Sequence, residues 1–239
     1  MLKAKDVAWV SNIEKAIAAT ITEHTRIECG TSDLTDVLGA VPPAPTFPIL
    51  TGRVGTNADQ FPDVLEMYVP EGATVADVTY GKGVFWRNIP DGKYNLLATD
   101  LQTGTDFSRL PYENQSIDAL VLDPPYMHGG VTVKASINEC YKNQNTSHAS
   151  VVRLYAAGIL EAARVLRKKG RIIVKTQDEI ESGKQRLTHV ELINILESFG
   201  FCILDIFVLL QPSIPAMREQ YQKSARKNHS FAIVGEFRS

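Results

Sequence analysis

The chain has 239 residues, 44% of them apolar and 22% charged, with a net charge of −2. That length and apolar content suffice for one sizeable core. The near-neutral charge excludes a globally basic nucleic-acid binder, so any phosphate contact must come from local patches. No apolar run is long enough to suggest a membrane span, and Met1–Asp6 lacks the features of a signal peptide.

Residues 1–46 read as an N-terminal helical extension and linker. Val10, Ile13, Ile17 and Ile21 recur at helical spacing, and Pro42, Pro43 and Pro45 form a semi-rigid connection. Residues 47–239 read as one catalytic domain. Gly52–Asn57 precedes a predicted helix over Gln60–Tyr68, opened by Pro62 in its first turn. Thr74–Asp77 is a short apolar strand ending in an acid, followed by a turn with Thr79, Gly81 and Gly83 where backbone must approach a ligand closely. This turn is weaker than the full G-x-G-x-x-G pattern, because Trp86 stands at the third glycine position. Leu96–Asp100 is a second strand ending in an acid, the position from which a doubly wound sheet holds a ribose. Asp106 beside Phe107 then offers a carboxylate and a ring.

Ile117–Leu122 is apolar throughout and predicts a buried parallel strand. It delivers Asp123-Pro124-Pro125-Tyr126 to the sheet edge. The two prolines fix the backbone and remove two N–H donors, so nearby carbonyls are left free to accept. An acid, a rigid turn and an aromatic ring make a pocket for a planar group with an amino substituent. The polar stretch from Met127, with His128, is a candidate substrate loop. A helix is predicted over Ser150–Leu166, stopped by Lys168, Lys169 and Gly170, and then a strand over Arg171–Lys175. Lys175 and Gln177 fall at the same sheet edge. A helix over His189–Phe199 and strands over Phe201–Leu210 and Ser230–Phe237 complete the domain. The segment between those strands carries a basic patch of Arg218, Lys223, Arg226, Lys227 and His229, suited to phosphate. Cys29, Cys140 and Cys202 are scattered, which predicts reduced thiols of a cytoplasmic protein and no metal site.

The order of glycine turn, strand-end acids and Asp-Pro-Pro-Tyr resembles the class I S-adenosylmethionine-dependent amino-methyltransferases, the N6-adenine and N4-cytosine DNA methyltransferase family, over residues 52–239. The resemblance implies a Rossmann-like α/β fold, with a seven-stranded, mostly parallel sheet and an antiparallel C-terminal hairpin. S-adenosyl-L-methionine would be held by Asp77, Thr79, Gly81, Gly83, Asp100, Leu101, Asp106 and Phe107, with Thr56, Asn57 and Phe61 toward its methionine end. Asp123, Pro124, Pro125 and Tyr126 would carry the chemistry on a base flipped out of its stack. His128, Lys175, Gln177, Arg218, Lys223, Arg226, Lys227 and His229 would face the nucleic acid. N6 of adenine in DNA is the expected acceptor. The alternatives are an RNA base methyltransferase, acting on N6 of adenine or N2 of guanine, and an inactive methyltransferase-fold binding subunit. No segment between the motifs is large enough for a separate recognition domain, so the expectations are a very short target site, little sequence specificity, or recognition borrowed from a partner or a homodimer.

Overall fold

The computed structural model describes residues 48–125, 147–211, 225 and 227–238. The predicted helix within 1–46, Tyr126, His128, Arg218, Lys223 and Arg226 lie outside the described residues.

Seven strands form one sheet: β1 (Gly52–Val54), β2 (Thr74–Asp77), β3 (Asn95–Ala98), β4 (Ile117–Leu122), β5 (Leu166–Thr176), β8 (Phe201–Leu210) and β9 (His229–Phe237). Their order is β1-β8-β9-β5-β4-β2-β3. All neighbours pair in parallel except where β9 runs antiparallel between β5 and β8. This is the mostly parallel Rossmann-like sheet with an antiparallel hairpin that the sequence predicts. The centre reads as continuous apolar runs because helices cover both faces. On one face α1 (Asn57–Tyr68) packs Phe61, Val64 and Leu65 over Val75, Val121 and Ile173. On the other face α2 (His148–Val165) and α3 (Thr188–Ser198) bury Tyr155, Ile159 and Leu192. A short hairpin of β6 (Glu179–Glu181) and β7 (Lys184–Arg186) stands apart. No helix among the described residues is long and apolar enough to cross a membrane.

Several boundaries differ from the sequence reading for identifiable reasons. The first helix begins at Asn57, so Pro62 lies inside it. A proline there cannot donate to the carbonyl four residues earlier. Asn88 Nδ2 donates to that carbonyl, on Ala58, at 3.0 Å. Helix α2 stops at Val165, and Lys168–Gly170 belong to β5, where its pairing with β4 shifts register. Lys169 takes a left-handed φ of 64°. A side chain on Gly170 would meet the Arg167 carbonyl at 2.8 Å. That glycine therefore serves an irregular strand and not a helix end. Cys202 is disulfide-bonded, which corrects the expectation of reduced thiols at that position; its partner lies outside the described residues. Sequence spacing carries no information on which sulfurs meet in space.

Candidate active site

The carboxyl ends of β2, β3, β4 and β5 meet at one edge, and the candidate residues arrive there for different local reasons. Asp77 closes β2 and is 2% exposed. Its Oδ2 accepts from Trp86 Nε1 at 2.7 Å, and its Oδ1 accepts from the Thr79 N–H at 3.1 Å. Burial nonetheless pushes its carboxyl up to about 6, because the lost hydration outweighs these hydrogen bonds. Trp86, read in the sequence only as a missing glycine, is thus a structural donor to Asp77.

Between Asp77 and Trp86 the chain makes its tight turn. Gly81 and Gly83 have φ of 53° and 63°, values that favour glycine. At Gly83 a side chain would also collide with the Tyr80 hydroxyl, 2.6 Å away. Gly81 N–H donates to Asp100 Oδ2 at 3.1 Å, which ties the turn to the end of β3. Asp100 Oδ1 accepts from the Gln102 and Thr103 N–H groups, each at 2.8 Å. Its carboxylate is therefore fixed in direction, beside an exposed Leu101. Asp106 is exposed, and its Oδ1 accepts from the Ser108 N–H and hydroxyl at 2.9 and 2.8 Å. Phe107 lies in the core, 6% exposed, against Leu122 and the α2 backbone at Gly158.

Asp123 follows β4. Its N–H donates to Thr79 Oγ1 at 2.8 Å, so one hydroxyl links the glycine turn to the Asp-Pro-Pro segment. Its Oδ1 is buried and has no hydrogen-bond partner among the described residues. Burial raises the Asp123 carboxyl; Lys175 opposes that shift and Asp77 adds to it. Lys175 is 5% exposed. Burial lowers its ammonium, while Asp123 pulls it the other way.

Thr56 precedes α1, and its N–H and hydroxyl donate to Asp59 Oδ2 at 2.8 and 2.7 Å. Asn57, Gln60 and Phe61 from α1 line a recess with Phe85, Ile173 and Lys175. Phe61 stacks on Phe85 at 4.9 Å. Gln60, which the sequence reading passed over, has a buried Nε2 without a hydrogen-bond partner among the described residues.

At the β5–β9 junction Gln177 Nε2 donates to the His229 carbonyl at 2.6 Å, and His229 sets its ring edge-on to Phe231. Lys227 is half-buried nearby in sequence. Asp178 and Glu179 are engaged by histidines: His189 Nδ1 lies 2.6 Å from Asp178, and His148 Nδ1 lies 2.8 Å from Glu179. His148 also meets Glu191 at 2.9 Å, and these carboxylates raise its imidazole against the opposing effect of burial. It is a buried anchor for the start of α2 and not a solvated loop residue.

No family model and no curated protein matches the chain. Solved structures are similar to it in fold. A candidate methyltransferase of Bacillus halodurans gives a TM-score of 0.48 at 12% identity, over 76% of this chain and all of that one. A SAM-dependent methyltransferase of Methanosarcina mazei gives 0.41 at 13% identity, over 73% and 97% of the two chains. TrmN of Thermus thermophilus gives 0.44 at 16% identity, over 74% and 48%. The sheet order just described is that of a Rossmann-like α/β protein. What it does must be argued from the site.

Proposed function

We propose that the protein transfers a methyl group from S-adenosyl-L-methionine to an exocyclic amino nitrogen of a nucleic-acid base, with N6 of adenine in DNA as the acceptor. The observation that carries this is Asp123 Oδ1, a buried carboxylate oxygen that has no hydrogen-bond partner among the described residues, beside two prolines. Such an orphaned acceptor is costly unless a ligand supplies the donor. An aromatic amine is a suitable donor. Its lone pair is delocalised into the ring, and hydrogen bonds from N–H to Asp123 and to the Pro124 carbonyl favour the tetrahedral nitrogen that can attack.

The cofactor fits the residues present. Asp100 is held by three backbone N–H groups just past β3, and its fixed carboxylate would accept from a ribose diol. Asn57 and Phe61 line a recess that Lys175 also borders. When bound, S-adenosylmethionine would supply an electrophilic methyl, its S–C electron pair remaining on sulfur as the N–C bond forms, and the amine would give up one proton. The chain's own task is positioning, with Asp123 orienting the amine and accepting that proton. Tyr126, next in sequence, would stack on the base, and Lys227 and His229 would stand toward the phosphates.

The experiment is tritium transfer from labelled S-adenosylmethionine to duplex DNA, single-stranded DNA and total RNA. Label in DNA supports the reading, and the duplex-to-single-strand ratio reports whether base opening limits the rate. Label in RNA alone would move the acceptor to an RNA base.

A further inference from the structure

The strand register places Asp123 and Lys175 side by side, with Asp77 on the next strand level with Val121, two residues behind Asp123. Leu122 pairs with Val174 and Asp77 with Val121, so Asp77, Asp123 and Lys175 end three neighbouring strands. Alternation sends them to the same face as Val75, Val121 and Ile173, which pack under α1. Strands lie about 4.8 Å apart, so Lys175 is the direct neighbour of Asp123, and Asp77 stands diagonally to it. Lys175 makes no ion pair and its ammonium no hydrogen bond among the described residues, although it is 5% exposed. The charged groups facing Asp123 are Asp77 from β2, with Asp100 behind it, and Lys175 from β5. Helix α1 contributes only neutral Asn57 and Gln60, and β9 contributes Ala232.

A buried lysine without a counter-ion in contact is an expensive feature for a core to keep. Its effect on Asp123 accounts for it. Dehydration and the Asp77 carboxylate both favour a protonated Asp123, and a protonated acid presents an O–H where the amine needs an acceptor. Among the described residues, the only charge that opposes this is Lys175.

We propose that Lys175 is a positioning residue for methyl transfer, its ammonium holding Asp123 ionised beside Asp77 so that Asp123 can accept the amine N–H and then the released proton. The part played by Asp123 rests on the function proposed above, whereas the charge coupling exists without substrate. Lys175 itself stays an ammonium, touches no reacting atom and takes no proton.

The test is a pH titration of the folded protein carrying carboxyl-13C aspartate, with the Asp123 resonance assigned by its loss in D123N. In K175M the Asp123 titration should move to higher pH by about one unit or more, a tenfold change in proton affinity, while K175R stays near wild type. The acid limb of the methyl-transfer pH profile should move up by the same amount in K175M, with cofactor Kd within a few-fold. An Asp123 resonance that titrates alike in wild type and folded K175M overturns the proposal, as does a wild-type Asp123 still protonated at pH 8. Should K175M not fold, K175Q carries the same expectation. A displaced resonance in a protein that methylates no nucleic acid would keep the coupling and remove the base as acceptor.

Discussion

Thr79 does more at this edge than its size suggests. Its hydroxyl accepts the Asp123 N–H while its own N–H donates to Asp77, so one residue ties the glycine turn to the Asp-Pro-Pro segment. Thr79→Val should leave the Asp123 N–H orphaned and cost about 1–3 kcal/mol of stability, measured by urea unfolding. The two acids divide the labour. Asp123→Ala should lower transfer by on the order of 10³-fold or more while cofactor Kd stays within a few-fold by calorimetry. Asp100→Ala should weaken cofactor binding by about 1.5–3 kcal/mol, roughly 10- to 150-fold in Kd. The strand-end acids were legible because each closes an apolar run. The Trp86–Asp77 hydrogen bond, the Gln60 amide and the Asp77–Asp123–Lys175 cluster were not, since they exist only once distant segments share a sheet edge. Sequence alone placed an acid beside a ring at Asp106 and Phe107, but the fold sends Phe107 inward under α2 and leaves Asp106 at the surface.

Among the elements, α2 crosses the sheet so closely that a side chain on Gly158 would meet Leu122 at 2.9 Å and Phe107 at 3.1 Å. Leu122 immediately precedes Asp123, so this contact sets the height of the acid above the sheet. Gly158→Val should destabilise the protein by about 1–3 kcal/mol through overpacking. It should also lower transfer more than cofactor affinity, because the displaced strand carries the acceptor side; thermal unfolding and parallel binding and rate measurements check both. Long periodic or apolar elements such as α2, α3, β4 and β8 were readable in the sequence to within a few residues. Strand β1 was not, as three half-exposed residues carry no pattern; it forms because Gly52–Val54 lies alongside Val208–Leu210. The β6–β7 hairpin turns on Ser182 and Gly183, both with positive φ, and the Ser-Gly pair was the available signal.

At the scale of the whole molecule, the site is built against stability. Asp77 has a carboxyl raised to about 6 from an unfolded value of 3.8, so the folded state holds its proton more tightly. Stability from this group is present below about pH 4 and is lost as pH rises through about 6, an effect of roughly 2–3 kcal/mol. Asp123 and His148, both raised, act with the same sign. Urea unfolding should therefore show lower stability at pH 7.5 than at pH 5. A flat profile across that window would mean that the cluster is hydrated. A bound cationic cofactor beside two carboxylates should offset part of this loss, so S-adenosylmethionine should stabilise more at pH 7.5 than at pH 5. The fold class was legible through the resemblance carried by the glycine turn, the strand-end acids and Asp-Pro-Pro-Tyr. The acceptor depends on a few ångströms of geometry around Asp123 and on the residues that follow it.

The most direct test is nucleoside mass spectrometry of DNA incubated with S-adenosylmethionine and either the wild-type protein or D123A. Wild type should yield N6-methyldeoxyadenosine, and D123A should bind cofactor and yield none. A methylated base from D123A at the wild-type level, or a methyl group on carbon or ribose, would contradict amine methylation at Asp123.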